Sequence, residues 1–481
     1  MKKIKFIIYS YITLITVISC DDKELDLAPI SQLTTGNFYQ TSIQIDQALT
    51  GAFADLNPLY DNMMIRAAIW RGDNSSQTNG YANNLELNIS QYNENAGSQV
   101  STDIWNTCYA IISRVNLVIE KSESLDYSEK ASHVGQARFL RALMYYELVR
   151  HFGDVPLVQK PVGLEESFTV GRTAAAEVYA FVTSEFEALA NASNGLSSNQ
   201  NDKGRPTIYS AFGMAAKAFI QQGNYASAKP HLKSIIDSGK FSMQSDYAEI
   251  FKEANDNGPH VVFSIQYDKS IAGLGNAQPS QVPKMAAEIP FQGVTRRQMV
   301  SEDLYNSYQA GDKRKDLTVI NGYTSTADGE FIDNELFWGK YAINNTPATF
   351  QEWGVDIPIV RYTDVKMLYA EALNNDSYPS AEAFSILNEV RTRAGIPSLS
   401  SADITSQSAF LDAIIRERRF EFAGESNRWW DLLRTGKDQT ILSAFALPAY
   451  PYSTEKRLFG IPEAEILKVN DPSILSQNPG Y

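Results

Sequence analysis

The segment RERRFEFAGESNRWWDLL, residues 416–433, brings together side chains that could do chemistry. It holds four arginines, three glutamates, one aspartate and two adjacent tryptophans. Guanidinium and carboxylate groups form strong charge-assisted hydrogen bonds, either with a ligand or with each other. The segment could therefore be an active site, an anion-binding site or a buried part of the scaffold.

The residues just before this segment favour the buried alternative. At about 100° per residue, Leu411, Ile415 and Arg418 fall on one face of a helix, so Arg418 lies within an apolar stripe. A buried arginine needs an anionic or carbonyl partner. We predict that a glutamate close by on the same helix supplies it. The predicted structural signature comprises Arg418, Glu421, Glu425, Trp429 and Trp430. Glu421, Glu417 and Glu425 are the candidate partners of Arg418.

Aromatic and amide side chains accumulate in three segments with little periodicity, residues 71–103, 267–300 and 322–357. Loops of this length are usually functional or disordered, and their aromatic content favours ordered surface segments. A flat aromatic ring can stack on the C–H face of a sugar while neighbouring polar groups bind its hydroxyls. The alternative is that the same side chains pin the loops to the body. The predicted ligand-binding residues are Trp70, Arg71, Asp73, Asn74, Tyr81, Asn83, Trp338, Tyr341 and Trp353.

The sequence carries no signature of catalysis. With 56 aspartates and glutamates, chance pairs of carboxylates are expected, and none is marked as the acid and base of a glycoside hydrolase. There is no GxSxG nucleophile motif, and no glycine-rich loop stands between a strand and a helix to bind phosphate. We therefore predict that the protein is not an enzyme, with a surface glycan hydrolase as the less favoured alternative.

Metal ions and nucleic acids are not indicated as ligands. The four histidines are scattered, and no dense acidic run resembles a self-contained calcium loop. No cofactor is predicted, and calcium is possible without being indicated. The formal net charge of −14 opposes binding to nucleic acid, which requires a cationic surface. Cys108 lies in an apolar helical pattern without nearby cations, which predicts a buried and unreactive thiol.

Helical periodicity dominates the elements that must position these residues. Small and apolar residues recur at spacings of three and four over residues 211–239, with a break at 223–224. Residues 364–395 repeat this plan with a predicted break at 374–376, and residues 132–154 predict a further helix that stops at a glycine. These patterns predict a mainly α protein built from tetratricopeptide-like helical hairpins, whose period is about 34 residues.

The N-terminus has the pattern of an export signal. Three lysines precede an apolar run over residues 6–18, which is too short to cross a bilayer comfortably. The sequence VISC at 17–20 resembles a bacterial lipobox, in which Cys20 becomes the lipidated first residue. We predict a lipoprotein signal peptide over residues 1–19 and an N-terminal tether over 20–35. The alternative is ordinary signal-peptidase cleavage at the same position, without a lipid.

Several longer motifs together resemble the SusD/RagB family of outer-membrane lipoproteins. They are GQARFLRALMYYELVRHFGDVPL, IVRYTDVKMLYAEALN, LNEVRTRAG, IIRERRFEFAGESNRWWDLLRTGK, IPEAEI and SQNPGY. They occur in the family's order between about Gln32 and Tyr481, and the ordered set is far more specific than any single motif. On this basis we predict a SusD-like N-terminal region at residues 36–240 and a RagB/SusD C-terminal region at 260–481, together forming one structural unit.

The resemblance implies a body of four tetratricopeptide-like helix pairs, with the long irregular loops on one side as the ligand-binding surface. It also implies a lipoprotein anchored through Cys20 and exposed on the outer membrane, and Asp21-Asp22 resembles the export signal of such proteins. A protein of this kind caps a SusC-like TonB-dependent transporter and hands it nutrients, usually glycans and in some members peptides. The family's ligand residues lie in variable loops, so the ligand-binding residues named above rest on side-chain chemistry alone.

The expected function is therefore binding of oligosaccharide nutrients at the outer membrane and their delivery to the transporter. The first alternative is a peptide-binding uptake lipoprotein of the same family. A surface glycoside hydrolase and a pure assembly scaffold are alternatives from other functional classes.

Overall fold

The computed structural model describes residues 38–77, 84–200, 202–280, 287, 299–349 and 351–481. The predicted mainly α fold is confirmed over these residues. A three-residue helix (Leu56–Pro58) and a π-helix (Leu59–Met64) connect the first two of the longer helices. In chain order the longer helices are α1 (Ser42–Ala54), α2 (Ile65–Arg71), α3 (Asn84–Ser90), α4 (Gln99–Glu123), α5 (Lys130–Phe152), α6 (Ala175–Leu189), α7 (Ile208–Gln221), α8 (Tyr225–Asp237), α9 (Glu302–Ser307), α10 (Tyr362–Asp376), α11 (Ala381–Ala394), α12 (Gln407–Glu421), α13 (Asn427–Arg434), α14 (Asp438–Phe445) and α15 (Glu463–Val469).

The strands of the described chain are short and pair as two-stranded antiparallel sheets. They are β1 (Val155–Pro156), β2 (Arg172–Thr173), β3 (Val261–Ile265), β4 (Val319–Thr324), β5 (Phe331–Trp338) and β6 (Ile357–Arg361). β1 pairs with β2, β3 with β6, and β4 with β5. The β4–β5 register shifts between Asn321 and Tyr323, where Gly322 has a left-handed φ of 74°. Glycine adopts this conformation without the steric cost of a side chain.

The helical hairpin predicted over residues 211–239 is confirmed as α7 and α8. The chain turns at the predicted break, where Gly223 is left-handed and the Asn224 side chain caps α8 by accepting from the Ser227 N–H (3.1 Å). The small residues of α7 allow close packing, because a Cβ on Gly213 would lie 2.9 Å from a methyl group of Val360 on β6. The small residues of α7 thus allow a strand to pack closely on this helix.

The second predicted hairpin is confirmed as α10 and α11, but its break lies later than predicted. α10 continues through Asp376, and the turn comprises residues 377–380. Pro379 disfavours a helical conformation for the residue before it, and Ser380 caps α11 by accepting from the Ala383 N–H (3.3 Å). The predicted helix over 132–154 is α5, which ends at left-handed Gly153.

The helices form one continuous stack. α1 packs on α4, α4 on α5, α5 on α6, α6 on α7, α7 on α8, α8 on α10, and α10 on both α11 and α12. Each helix therefore covers its neighbour, as repeated helical hairpins require. The largest hydrophobic core runs through this stack and includes residues from Ile45 to Leu475.

Two of the three segments predicted as irregular contain α-helices or strands among their described residues. Residues 71–103 include α3 and the start of α4, and residues 322–357 include the end of β4, all of β5 and the first residue of β6. The strand FIDNELFW lacks a clean alternation of polar and apolar residues. The strand pairs with β4, and its residues Phe337 and Leu336 pack in two different small hydrophobic cores. These long-range contacts decide its conformation, and they are not visible in a local sequence pattern.

Candidate functional site

The signature segment, residues 416–433, forms the end of α12, a tight turn and most of α13. α12 begins after Ser406, whose side chain accepts from the Ala409 N–H (3.1 Å). The turn contains two left-handed residues, Gly424 (φ 79°) and Ser426 (φ 64°). A Cβ on Gly424 would lie 3.1 Å from the Trp338 ring, so a glycine allows the indole to rest directly on the turn.

Arg418 is buried and bridges two carboxylates from other helices. Its guanidinium lies 2.7 Å from Asp364 on α10 and 2.8 Å from Asp431 on α13. Burial alone would raise the pKa of Asp364, but the charges of Lys217 and Arg418 outweigh it and hold that pKa below its ordinary value. Arg418 therefore joins α10, α12 and α13, and it also lies over the Phe422 ring.

The three glutamates that sequence spacing predicts as partners of Arg418 pair with other cations, so that prediction is wrong. The pairs are Glu417 with Arg391 (2.7 Å) and Arg314 (2.6 Å), Glu421 with Arg393 (2.6 Å) and Arg361 (3.2 Å), and Glu425 with Arg361 (2.7 Å) and Lys340 (2.8 Å). Helical spacing shows only neighbours on one helix, whereas folding brings α10, α11, β6 and the residues after β5 around α12. Burial lowers the pKa of Lys340 to about 8, although the charge of Glu425 opposes that shift.

Two further arginines of the signature segment hold the chain that follows α2. Arg428 makes a two-point hydrogen bond to the Asp73 carboxylate (2.7 and 2.8 Å), and Arg419 donates to the Asn74 side chain (2.8 Å). Arg419 also binds Asp303 at the start of α9 (2.6 Å). Burial would raise the pKa of Asp73, but both guanidinium groups outweigh it and lower that pKa.

Residues 73–75, which follow α2, are also connected to the β4–β5 hairpin through residues 299–301. Ser75 forms an isolated bridge with Val300, and Met299 forms another with Phe337 on β5. The Ser301 hydroxyl donates to the Asp73 carbonyl oxygen (2.7 Å), and the Val300 N–H donates to the Leu336 carbonyl (3.0 Å). Segments that are far apart in sequence thus form a continuous ribbon above the signature segment.

The remaining irregular chain reaches the signature segment too. The Gln278 amide donates to the Gly424 carbonyl (3.3 Å), and the Lys340 ammonium donates to the Glu421 carbonyl (3.1 Å). Asn276 and Trp353 exchange backbone hydrogen bonds (2.8 and 3.3 Å), which join the second irregular segment to the third. We call the described residues 71–98, 267–280 and 299–357 the loop side. All three of its parts are fastened, directly or through each other, to the signature segment.

Most of the predicted ligand-binding residues that the structure describes are buried. Arg71 and Trp353 are fully buried, and Trp338 is half-buried over the signature turn. Tyr81 and Asn83 lie outside the described residues, as does Cys20. Trp70, Asp73, Asn74 and Tyr341 are each no more than 6% exposed. The structure brings Asp73 and Asn74 together on the signature arginines, while Tyr341 and Trp353 pack in a separate small core. Their ligand-binding role stays a prediction.

Arg71 makes several contacts with other buried residues of the protein. Its guanidinium pairs with Glu94, donates to the Tyr481 hydroxyl (3.0 Å) and to the Lys456 carbonyl, and lies 3.7 Å from the Phe459 ring centre. Burial lowers its pKa. Arg71 therefore links the end of α2 to the C-terminal residues.

The loop side also carries a cluster of accessible side chains that are not among the ligand-binding residues predicted from the sequence. Tyr305 is half-buried, and its hydroxyl accepts from the amide of exposed Asn321 (3.0 Å). The Lys315 ammonium lies 3.7 Å from the Tyr305 ring centre. Phe331 at the start of β5 is 60% exposed and packs against the Gly322 backbone. We call these four residues the outer rim. Its sequence signal is weak, because aromatic residues within or near the irregular segments occur at many positions.

One pair of acidic side chains is held near the base of the loop side. The Asp356 N–H donates to the Asp256 carboxylate (3.1 Å), and the Asp356 carboxylate accepts from the Gln266 amide (2.7 Å) and the Tyr267 N–H (3.0 Å). Burial, and then the charge of Asp356, raise the pKa of Asp256. Burial likewise raises the pKa of Asp356. Both carboxylate oxygens of Asp356 accept hydrogen bonds from the protein, which favours a structural role for Asp256 and Asp356.

Other kinds of site receive no support from the described residues. Cys108 is fully buried and unpaired, as predicted, and burial raises the pKa of its thiol. Within the described ranges no group of three or more histidine, cysteine, aspartate and glutamate side chains could hold a metal ion. No helix in that same part of the chain combines the length and apolar character needed to cross a bilayer.

Two family models match the chain in succession. The first, described as starch-binding and associating with the outer membrane, matches residues 25–220. The second, described as the SusD family, matches residues 236–481, which is just over half of the chain. Both matches fall in the order that the sequence motifs predict.

Curated relatives and solved structures agree with these matches. The chain is 25% identical to SusD-like protein P25 of Formosa agariphila, over 90% of each chain. It is 21% identical to the starch-binding protein SusD of Bacteroides thetaiotaomicron, over 77% of this chain and 76% of the relative. Surface glycan-binding protein A from Bacteroides fluxus has a similar structure, with a TM-score of 0.78 at 23% identity over 92% of this chain and all of that one. The corresponding protein from Bacteroides thetaiotaomicron, solved with laminarihexaose, gives 0.75 at 22% identity, over 91% of this chain and all of that one.

Proposed function

Because this chain belongs to the SusD family, we propose that it is a non-catalytic lipoprotein that binds oligosaccharide nutrients and delivers them to a TonB-dependent transporter. The observation that carries the proposal is the attachment of all three parts of the loop side to the buried signature segment. A rigid helical body thereby presents long irregular segments on which a ligand can bind.

The outer rim is the part of the loop side best suited to contact the ligand. The Tyr305 ring and the exposed Phe331 ring offer faces for stacking on sugar C–H groups. Asn321 and Lys315 stand beside them and supply donors for hydroxyl groups. Trp338 packs against the same small hydrophobic core as Tyr305, and it is more exposed than Trp70 and Trp353.

Asp73 and Asn74, two other predicted ligand-binding residues, would mainly hold the binding loops in place. Asp73 and Asn74 are held by Arg428 and Arg419, and they fix the start of the chain that continues through Tyr81 and Asn83. Exchanging a buried hydrogen-bond partner for a ligand would leave a guanidinium unpaired, which is costly. We therefore expect these residues to hold the binding loops in place more than to touch the sugar.

The membrane and transporter assignments rest on sequence and family. Cys20 at the end of the lipobox would carry the lipid, and Asp21-Asp22 would direct the protein to the outer surface of the outer membrane. The transporter partner would be SusC-like, and it would supply the energy for uptake. The matched family description, starch-binding and associating with the outer membrane, supports this arrangement.

A peptide-binding protein of the same family is the second candidate. An exposed aromatic ring beside an amide also suits a peptide, because both groups can bind apolar side chains and backbone. A surface hydrolase is less well supported, because the Asp256 and Asp356 carboxylates are engaged with protein donors near the loop base. A pure scaffold would need no accessible aromatic residues at the rim.

Calorimetric titration of the mature chain with neutral oligosaccharides and with peptides tests the proposal. We expect saturable binding of an oligosaccharide that is recovered unchanged, and about fivefold weaker binding by Phe331→Ala, because stacking on an aromatic ring contributes on the order of 1 kcal/mol. Ile43→Ala is the matched control, since Ile43 is 68% exposed on α1, outside the loop side. Peptide binding without oligosaccharide binding would select the second candidate, and release of new reducing ends would select a hydrolase.

A further inference from the structure

A cavity is formed by residues outside the loop side. It has a volume of about 470 Å³ and lies between the start of α7, the residues that follow α8, and the turn before β3. Cavities of about 300–1,000 Å³ are typical of sites for small ligands. The cavity is therefore large enough to hold part of an oligosaccharide.

Two aromatic rings line this cavity. Tyr209 and Phe241 meet edge to face, with ring centres 5.4 Å apart and an interplanar angle of 75°. Phe241 is held from behind by a stacked contact with Tyr362, whose ring centre is 6.3 Å away. Both rings are half-buried. The rings thus combine a fixed position with an accessible surface.

The polar lining of the cavity carries a positive charge, whereas the protein as a whole is acidic. The Lys240 ammonium donates to the Ser198 carbonyl (2.5 Å) and to the Asn199 side chain (2.8 Å), both of which are neutral. Of the described residues that line the cavity, Lys240 is the only charged one. Its positive charge therefore has no carboxylate partner in the lining, although the chain as a whole carries a formal charge of −14. An anionic group of a ligand could fill that role.

We propose that this cavity is a second oligosaccharide site, which selects a sugar unit carrying a carboxylate or sulfate group. The sugar face stacks on Tyr209, the amides of Asn199 and Gln200 bind its hydroxyls, and Lys240 binds the acidic group. The inference rests on the proposed function, because it assigns a further site for the same class of ligand. It adds a preference for acidic sugars that the outer rim does not supply.

Calorimetry with trigalacturonate and maltotriose tests this inference on the complete mature chain. We expect Lys240→Gln to weaken trigalacturonate binding by about five- to tenfold and to leave maltotriose binding unchanged, because only the charge-assisted contact is lost. Wild-type binding of trigalacturonate should also weaken with added salt. Tyr209→Ala should weaken trigalacturonate binding as well, and Ile43→Ala, at an exposed position on α1 outside both proposed sites, is the control that should leave it unchanged.

Lys240 is exposed, so its replacement tests the site even where Tyr209→Ala lowers stability. Equal binding of trigalacturonate by wild type, Lys240→Gln and Tyr209→Ala would overturn the inference. Failure of the wild type to bind trigalacturonate while it binds a neutral oligosaccharide would also overturn it and leave the proposed function standing. Absence of binding to any oligosaccharide would refute both.

Discussion

Replacing Arg418 by alanine should chiefly lower the stability of the protein. The Arg418 side chain is 2% exposed and its two partner carboxylates are 2% and 5% exposed, so its loss leaves two charges in a buried environment. Breaking a buried ion pair costs about 3–5 kcal/mol of unfolding free energy. Asp364 keeps Lys217 at 2.8 Å, and Asp431 keeps Arg434 at 2.8 Å. We therefore expect a loss near the lower limit, about 3 kcal/mol.

Chemical denaturation of the wild type and Arg418→Ala, followed by circular dichroism, measures this difference. Arg416→Ala is a matched control on the same helix, because Arg416 is exposed and its replacement should change the unfolding free energy by less than about 0.5 kcal/mol. The loss should also depend on pH. Asp364 has a depressed pKa in the folded protein, so its stabilisation is present above the ordinary aspartate pKa of about 4 and disappears as the pH falls through the depressed value.

Two results would refute this reasoning. Equal stability of Arg418→Ala and Arg416→Ala at neutral pH would show that the buried pairs do not stabilise the helical body. A variant with unchanged stability and weakened ligand binding would show that Arg418 belongs to a ligand site.

Three further outcomes are expected. Arg428→Ala should lower the unfolding free energy by about 3 kcal/mol and speed hydrogen exchange over residues 73–76, because Asp73 loses its two-point partner; unchanged exchange there would contradict the proposed attachment. Asp256→Asn should gain stability relative to wild type as the pH rises from about 4 to 9. In the wild type, the raised pKa of Asp256 gives stability that is present below its ordinary pKa and is lost as the pH rises through the folded value; parallel pH profiles in denaturation experiments would count against this. Cys20→Ala should abolish labelling with radioactive palmitate and release the protein from membranes on fractionation, and normal membrane retention would rule out the anchor.

Local sequence patterns predict the helical body well. The hairpin of α7 and α8 turns where a glycine and a capping asparagine interrupt the helical period, and α5 ends at its predicted glycine. These features depend on residues within one or two helical turns, so they are visible in the sequence. The end of α10 is less well predicted, because Asn374 and Asp376 remain helical and Pro379 marks the actual turn.

The partners of the signature segment show where sequence reasoning ends. The periodicity identifies Arg418 as buried, but its carboxylates come from α10 and α13, and the adjacent glutamates serve other cations. The ligand-binding predictions meet the same difficulty. A tryptophan in a polar segment, such as Trp353, can pack wholly inside a small core, whereas Phe331 on β5 is exposed. Which of them reaches solvent depends on long-range pairing between segments.

The central claim is that the loop side binds an oligosaccharide without changing it. Calorimetric titration of the mature protein with a panel of oligosaccharides, with chromatography of the recovered sugars, tests this claim most directly. We predict saturable binding of at least one oligosaccharide, recovery of that sugar intact, and weaker binding by Phe331→Ala than by Ile43→Ala. Binding only to peptides, hydrolysis of the sugar, or equal affinities of the two variants and the wild type would contradict it.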